Sequence, residues 1–140
     1  MPGGCILNFG QAHITAILFK NTAVQNYYLA LITNTVNPAL DKQIGDGITE
    51  VSGTGYGRIL LTRNTDWTQV AAKATAVFKE YTAGSGGWAD VNGYAVCLSA
   101  TPNTADAIFA EAFDPLDQGT KPAGRKVQII CEYEQQDTSE

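Results

Sequence analysis

The chain has 140 residues, of which 44% are hydrophobic and only 16% charged, and its formal net charge is −5. This length predicts one domain with a core of its own, and the hydrophobic fraction excludes an intrinsically disordered chain. The basic residues are scattered, so the sequence lacks the clustered positive charge that nucleic-acid binding requires. A charged fraction below the roughly 25% of an ordinary soluble domain indicates a surface suited to packing against other proteins.

The cysteines and the chain start indicate neither a disulfide framework nor a membrane anchor. Cys5, Cys97 and Cys131 are odd in number and lack C-x-x-C spacing, and the last two lie in apolar runs typical of buried thiols. The first ten residues lack the basic start and apolar stretch of a secretory signal. No apolar run approaches the ~20 residues that span a bilayer, so we expect no membrane contact.

The spacing of apolar residues changes along the chain from a helical to a strand period. Residues 11–20 (QAHITAILFK) predict one short amphipathic helix. Segment 27–33 (YYLALIT) is apolar on both faces and predicts a doubly buried strand, whereas 125–135 (RKVQIICEYEQ) alternates and predicts a strand with one wet face. Further strands are predicted at 57–62, 74–82, 93–100 and 107–113.

Short strands separated by turns rich in Gly, Pro, Asn and Asp predict a mainly β fold. We expect an antiparallel β-sandwich or barrel-like domain with one short N-terminal helix. The chain is divided into an N-terminal arm (1–10), the β-sandwich domain (11–135) and a polar C-terminal tail (136–140). The expected core includes Leu29, Leu31, Ile59, Leu61, Phe78, Val96, Ile108, Val127 and Ile129.

The glycine-rich segment EVSGTGYGR invites comparison with a nucleotide-binding loop. Such a loop requires G-x-G-x-x-G between a strand and a helix. Here Gly53, Gly55 and Gly57 alternate, the third required glycine is replaced by Arg58, and a β-prone segment follows; no G-K-[ST] sequence occurs. The segment is therefore interpreted as a structural turn, in which Glu50 folds back to pair with Arg58.

The sequence gives equally little support for other kinds of catalytic site or for a metal site. The single histidine, His13, has no accompanying G-x-S-x-G elbow, and the Asp-containing segments 90–92 and 114–117 lack the spacing of a calcium loop. We expect no enzymatic activity, with no catalytic residue, no metal site and no cofactor. A glycosidase-like carboxylate pair stays an alternative that no sequence feature localises.

Five residues are candidate contacts with a partner. Trp67 and Trp88 lie in polar surroundings, where burial in the core is the commoner fate and an interface anchor is the alternative. The uncharged arm carries Ile6, Leu7 and Phe9, and burying each such side chain is worth about 1.5–3 kcal/mol. We predict that the arm packs against a second copy or another protein; the alternative is that it folds back on its own sandwich.

The order of elements matches a known pattern. A short helix, the YYLALIT strand and a long polar loop precede E-V-S-G-T-G-Y-G-R at 50–58. A strand around Phe78, the loop GGWADVNGYAV, the strand AIFAEAF and a last strand after Ala123-Gly124 follow. Over residues 12–135 this pattern resembles a broad group of small tailed-bacteriophage virion proteins, described as minor capsid, decoration or tail-fibre-like. The E-V-S-G-x-G-Y-x-R segment is the most specific part of the resemblance.

The resemblance implies a β-rich virion component without catalytic residues. The leading interpretation is a decoration (cement) protein, made in the host cytoplasm, that stabilises the head by bridging major capsid subunits on its surface. The expected partners are the major capsid protein or other virion proteins, with self-association open and neither nucleic acid nor membrane involved. The alternatives are a tail or head-fibre component, a host-surface glycan-binding module and, less favoured, a small enzyme.

Overall fold

The computed structural model describes residues 5–134, which fold into short β-strands with little helix. Within these residues the helical elements are α1 (Asn8–Phe19) and a 3-10 turn (Pro115–Asp117). The strands are β1 (Cys5–Ile6), β2 (Tyr27–Ile32), β3 (Gln43–Ile44), β4 (Gly47–Ile48), β5 (Ile59–Leu61), β6 (Trp67–Val70), β7 (Lys73–Ala76), β8 (Lys79–Thr82), β9 (Trp88–Val91), β10 (Gly93–Cys97), β11 (Ala107–Ala112), β12 (Gly119–Lys121), β13 (Lys126–Ile129) and β14 (Glu132–Glu134).

An antiparallel five-stranded sheet, in the order β1-β11-β10-β2-β5, forms the middle layer of the domain. Successive side chains of a strand point to opposite faces. In β2, Leu29 and Leu31 join one core cluster while Ala30 and Ile32 join the other. The predicted double burial of this strand is confirmed, and it follows from layers on both faces of the sheet.

Smaller antiparallel sheets cover the first face of the middle layer. These are the ribbons β12–β9 and β13–β8 and the three-stranded sheet β14-β7-β6. Their inward side chains, including Tyr81, Trp88 and Val127, pack with Leu29 and Phe109 of the middle sheet in one core cluster. The predicted mainly β, antiparallel fold with one N-terminal helix is confirmed as a sandwich-like arrangement.

Helix α1 and the loop bearing β3 and β4 cover the second face. The helix lies so close to β11 that a Cβ on Gly10 would stand 2.2 Å from the carbonyl oxygen of Ile108. It begins at Asn8, three residues before the predicted start, and is followed by Asn21 with φ 65°. Among residues 5–134, no helix is long and apolar enough to cross a membrane.

The first described residues belong to the domain itself. Strand β1 pairs with β11, where Ile6 lies opposite Phe109, and the amide of Leu7 donates to the carbonyl of Ile108 at 3.0 Å. Leu7 has no solvent exposure. For Leu7, the expected contact with a partner chain is therefore corrected, because the domain itself buries this side chain. Ile6 pairs with the edge of β11, and Phe9 lies within α1. Residues 1–4, residue 135 and the predicted tail (136–140) lie outside the described residues.

Two predicted strands are interrupted at the same place. Segment 73–82 pairs with segment 126–134 in two places, β8 with β13 and β7 with β14. Between these two pairings, segment 73–82 has one residue more than segment 126–134, so the two registers differ by one residue. This extra residue forms a β-bulge at Val77–Phe78. The bulge exchanges the inward and outward positions of the residues that follow it. As a result, Tyr81 points into the core and Phe78 is 50% exposed.

The remaining core predictions agree with the observed burial, apart from this bulge. Packing of one face against the core explains the alternation predicted for residues 125–135, because the side chains at 127, 129, 131 and 133 point inward. The prediction that Phe78 lies in the core is wrong, because alternation of apolar residues alone does not reveal the bulge. Fully or nearly buried are Leu29, Leu31, Leu61, Val96, Val127 and Ile129, while Ile59 and Ile108 are half-buried.

Candidate functional site

The segment that begins at Glu50 and ends at Arg58 forms a buried ion pair. Arg58 Nη2 lies 2.9 Å from Glu50 Oε1, and Arg58 Nε lies 3.0 Å from Glu50 Oε2. Both side chains have no solvent exposure. The pairing that the sequence predicted is therefore present, and it has the two-point geometry that makes arginine–carboxylate contacts strong.

The rest of the guanidinium is also fully used. Nη1 donates to Asp106 Oδ1 and to the carbonyl of Ser99, both at 2.9 Å, and Nη2 donates to the carbonyl of Thr104 at 3.1 Å. All five donors of Arg58 are thus satisfied. Burial by itself lowers the pKa of Arg58, but hydrogen bonds and charge from Glu50 raise it above its ordinary value, so the side chain stays cationic.

Glu50 accepts two further hydrogen bonds, one from within the same segment and one from a distant loop. The Tyr56 hydroxyl donates to Oε2, and the amide of Asn103 donates to Oε1 at 2.8 Å. The same hydroxyl accepts from the amide of Leu31 at 3.1 Å, which ties the loop to β2. Burial raises the pKa of Tyr56 far above its usual range, so the phenol keeps its proton.

Three aromatic rings clamp the glycine turn. Tyr56 stacks on Tyr81 with ring centroids 5.8 Å apart, and Trp88 meets both rings edge-on. The indole Nε1 of Trp88 donates to the carbonyl of Thr54 at 2.9 Å, and a Cβ on Gly53 would stand 2.4 Å from Trp88 Cδ1. Trp88 is only 1% exposed, so its assignment as a partner contact is corrected: it closes the turn from inside.

The three glycines of the turn have different roles. Gly53 (φ 152°) and Gly55 (φ 81°) adopt backbone conformations that disfavour other residues, and Gly53 also has no room for a side chain. Gly57 has ordinary φ, and nothing lies within 4 Å of a Cβ placed there. We name Glu50, Tyr56, Arg58 and Asp106 the buried polar cluster, and its contacts make it a structural lock.

Cys97 and His13 each have defined neighbours in the fold. Cys97 lies beside the buried polar cluster, where burial raises the pKa of its thiol well above the ordinary value. His13 Nε2 lies 3.2 Å from the Tyr27 hydroxyl in an edge-to-face contact. Within residues 5–134, no group of three or more His, Cys, Asp or Glu could hold a metal ion.

A groove of about 610 Å³ opens where the middle sheet and the β14-β7-β6 sheet diverge. Toward the groove, the inward-facing side chains along the chain segment that leads into β14 become more exposed, from buried Cys131 to half-buried Tyr133. Trp67, a predicted partner contact, lies half-buried in this groove. The remaining lining comes from Ile14, Tyr27, Arg63, Asn64, Gln69, Ala74, Val96, Ile108, Phe109 and Glu132.

A second accessible feature lies on the outward face of the layer formed by the smaller sheets, opposite the face that borders the groove. Val77 and Phe78 at the bulge are 45% and 50% exposed, and Ile130, at the next register position on the facing chain, is 56% exposed. We name these three residues the outer patch. Of the arm residues predicted to contact a partner, Phe9 is 40% exposed and Ile6 is half-buried.

Sequence reasoning brought together Glu50 and Arg58 but missed Tyr56, Asp106 and the bulge. Tyr56 belongs to the E-V-S-G-T-G-Y-G-R segment, but its position in the sequence does not predict its hydrogen bond to Glu50. Asp106 is separated from Arg58 by a long stretch of chain, so only the fold brings them together. Comparisons with protein-family models, with curated proteins and with solved structures found nothing that matches this chain.

Proposed function

We propose that this chain is a structural component of a tailed-bacteriophage virion, a decoration protein that stabilises the head by bridging major capsid subunits. The observation that carries the proposal is the outer patch, where Val77, Phe78 and Ile130 expose neighbouring apolar side chains. Contiguous exposed apolar residues on a folded domain are typical of protein contacts. The sequence resemblance supports the same class of protein.

The size of the patch sets the strength of the contact. Because these side chains are already about half buried, burying the rest of each contributes about 0.8–1.5 kcal/mol, while association costs about 4–15 kcal/mol in lost freedom and ordering. One patch therefore gives weak binding by itself. A decoration protein that touches several capsid subunits gains from multivalency, because the second contact forms at a high effective concentration.

The buried polar cluster supports a structural role, because it holds the domain in one conformation. Its charges, together with the rings of Tyr56, Tyr81 and Trp88, tie the loop at 50–58 to both layers of the sandwich. A rigid sandwich holds the outer patch in one orientation. Cement between capsid subunits requires such rigidity, because binding that also orders the protein loses free energy.

The proposal is tested by binding to heads assembled without this chain. Purified protein is mixed with the heads, the mixture is sedimented, and the bound copies per head are counted for the wild type and for F78S/I130S. We expect the double variant to bind at least tenfold more weakly, since it loses the remaining burial of two large side chains.

The matched control is L116S, because Leu116 is 98% exposed on the 3-10 turn and lies outside the outer patch. This variant is expected to sediment with heads as the wild type does. Equal binding of F78S/I130S and the wild type would remove the outer patch from the mechanism. Failure of the wild type to bind heads at any salt concentration would contradict the decoration role.

A further inference from the structure

The groove beside Trp67 has the dimensions and lining of a small-molecule site. Its volume of about 610 Å³ falls within the roughly 300–1,000 Å³ typical of ligand pockets. Phe109 and Val96 of the middle sheet lie at its apolar base, and Trp67, Tyr27 and Tyr133 supply aromatic rings. Rings of this kind offer flat apolar faces with polar edges.

Several polar groups of the groove are not used by the fold. Among residues 5–134, the indole N–H of Trp67, the guanidinium of Arg63 and the amide of Asn64 have no hydrogen-bond or ion-pair partner. Gln69 donates to the carbonyl of Ala71 at 3.1 Å and keeps its amide oxygen available. The groove therefore combines aromatic faces with donors and acceptors that have no partner among the described residues.

The charges of the lining favour an anionic ligand. Among the described residues of the lining, the carboxylate is Glu132, which is already paired with Lys73 at 3.1 Å, so that Lys73 balances its charge. Within the same residues the cationic side chain is Arg63, which has no ion-pair partner there. A planar guanidinium binds a carboxylate through two parallel hydrogen bonds. A nucleic acid is disfavoured, because a single cation cannot replace its condensed counterions.

We propose that this groove binds an acidic saccharide, a sugar chain that carries carboxylate groups. The apolar face of a sugar ring stacks on Trp67, the hydroxyl groups hydrogen-bond to Asn64 and Gln69, and the carboxylate pairs with Arg63. The inference goes beyond head decoration. Because Trp67 faces inward between the layers while the outer patch faces away from them, a copy bound to the head keeps the groove free. Many copies on one particle would then bind acidic glycans multivalently.

The test is isothermal titration calorimetry of the full chain with a hyaluronan hexasaccharide, and with neutral N-acetylchitohexaose as the comparison. We expect the acidic probe to bind at least tenfold more tightly than the neutral one. R63Q is expected to reduce affinity for the acidic probe by about tenfold and to leave the neutral probe unchanged. W67A is expected to weaken both probes.

R125Q is the matched control for charge, because Arg125 is exposed and lies outside the groove. It is expected to bind both probes as the wild type does. Since Arg63 is exposed, R63Q stays folded, and thermal melting checks that W67A does too. No heat from the acidic probe up to millimolar concentration, equal affinity for the two probes, or unchanged binding by R63Q would each overturn the proposal.

Discussion

Glu50 and Arg58 form a two-point ion pair with neither side chain exposed, across a turn in which a third side chain, Tyr56, binds the same carboxylate. A buried ion pair of this kind adds little net stability relative to apolar residues, but breaking it leaves an uncompensated charge. The carbonyls of Ser99 and Thr104 extend the pair to a distant loop. The pair therefore fixes one arrangement of two loops against the sheet.

Removing the cation should be strongly destabilising. In R58M, Glu50 and Asp106 stay buried without their partner, and we expect the free energy of unfolding to fall by about 3–5 kcal/mol. Urea denaturation followed by circular dichroism measures the change. R125M, which alters an exposed arginine, should stay within about 0.5 kcal/mol of the wild type. Equal losses in both variants would refute the lock.

The alternating glycines offer a paired comparison within one turn. G53A places a Cβ 2.4 Å from the buried ring of Trp88 at a positive φ, and it should lower the free energy of unfolding by about 1–3 kcal/mol. G57A meets no neighbour at an ordinary φ, so it should be neutral or stabilise by about 0.4–1 kcal/mol. Thermal melts of the two variants compare them directly. The same loss in both would show that the turn is looser than described.

The bulge at Val77–Phe78 gives a prediction that alternation alone would reverse. F78S should lower the free energy of unfolding by at most about 1.5 kcal/mol, because about half of the Phe78 side chain is already exposed. Y81F should cost about 1–3 kcal/mol, because the Tyr81 hydroxyl donates to the buried carbonyl of Leu29 at 2.7 Å. Chemical denaturation ranks them. A larger loss for F78S would place Phe78 in the core after all.

These cases show where local sequence information ends. The fold class followed from hydrophobic period, because strands 27–33 and 93–100 carry apolar residues that only a sheet can bury on both faces. The bulge did not follow, since one extra residue between two strand pairings leaves no mark on composition. The joining of Asp106 to Arg58 is a long-range contact, and the role of Trp88 depends on a turn packed against its ring.

The half-buried carboxyl of Glu111 gives a pH dependence of known sign. Burial raises its pKa despite the hydrogen bond it accepts from Tyr94 at 2.8 Å, and Glu132 and Asp114 raise it further. Because the folded pKa lies above the unfolded one, stability is highest below the unfolded value and falls as pH rises through the folded value. E111Q keeps an acceptor for Tyr94 and removes this loss.

The measurement is the free energy of unfolding of the wild type and E111Q at a series of pH values from acid to neutral. The difference between the two proteins isolates Glu111 from other titrating groups, including Asp66, whose pKa is lowered by a hydrogen bond from the amide of Thr62. We expect E111Q to gain stability relative to the wild type as pH rises. A difference independent of pH would show that Glu111 ionises as freely in the folded as in the unfolded chain.

The central claim, a structural role on the head of a phage particle, is tested most directly by immunogold labelling of purified particles in negative stain with an antibody to this chain. The account predicts gold over the heads of most particles, distributed around the shell, and loss of that label from particles assembled with F78S/I130S. Absence of label from purified particles, or label confined to the tails, would contradict it.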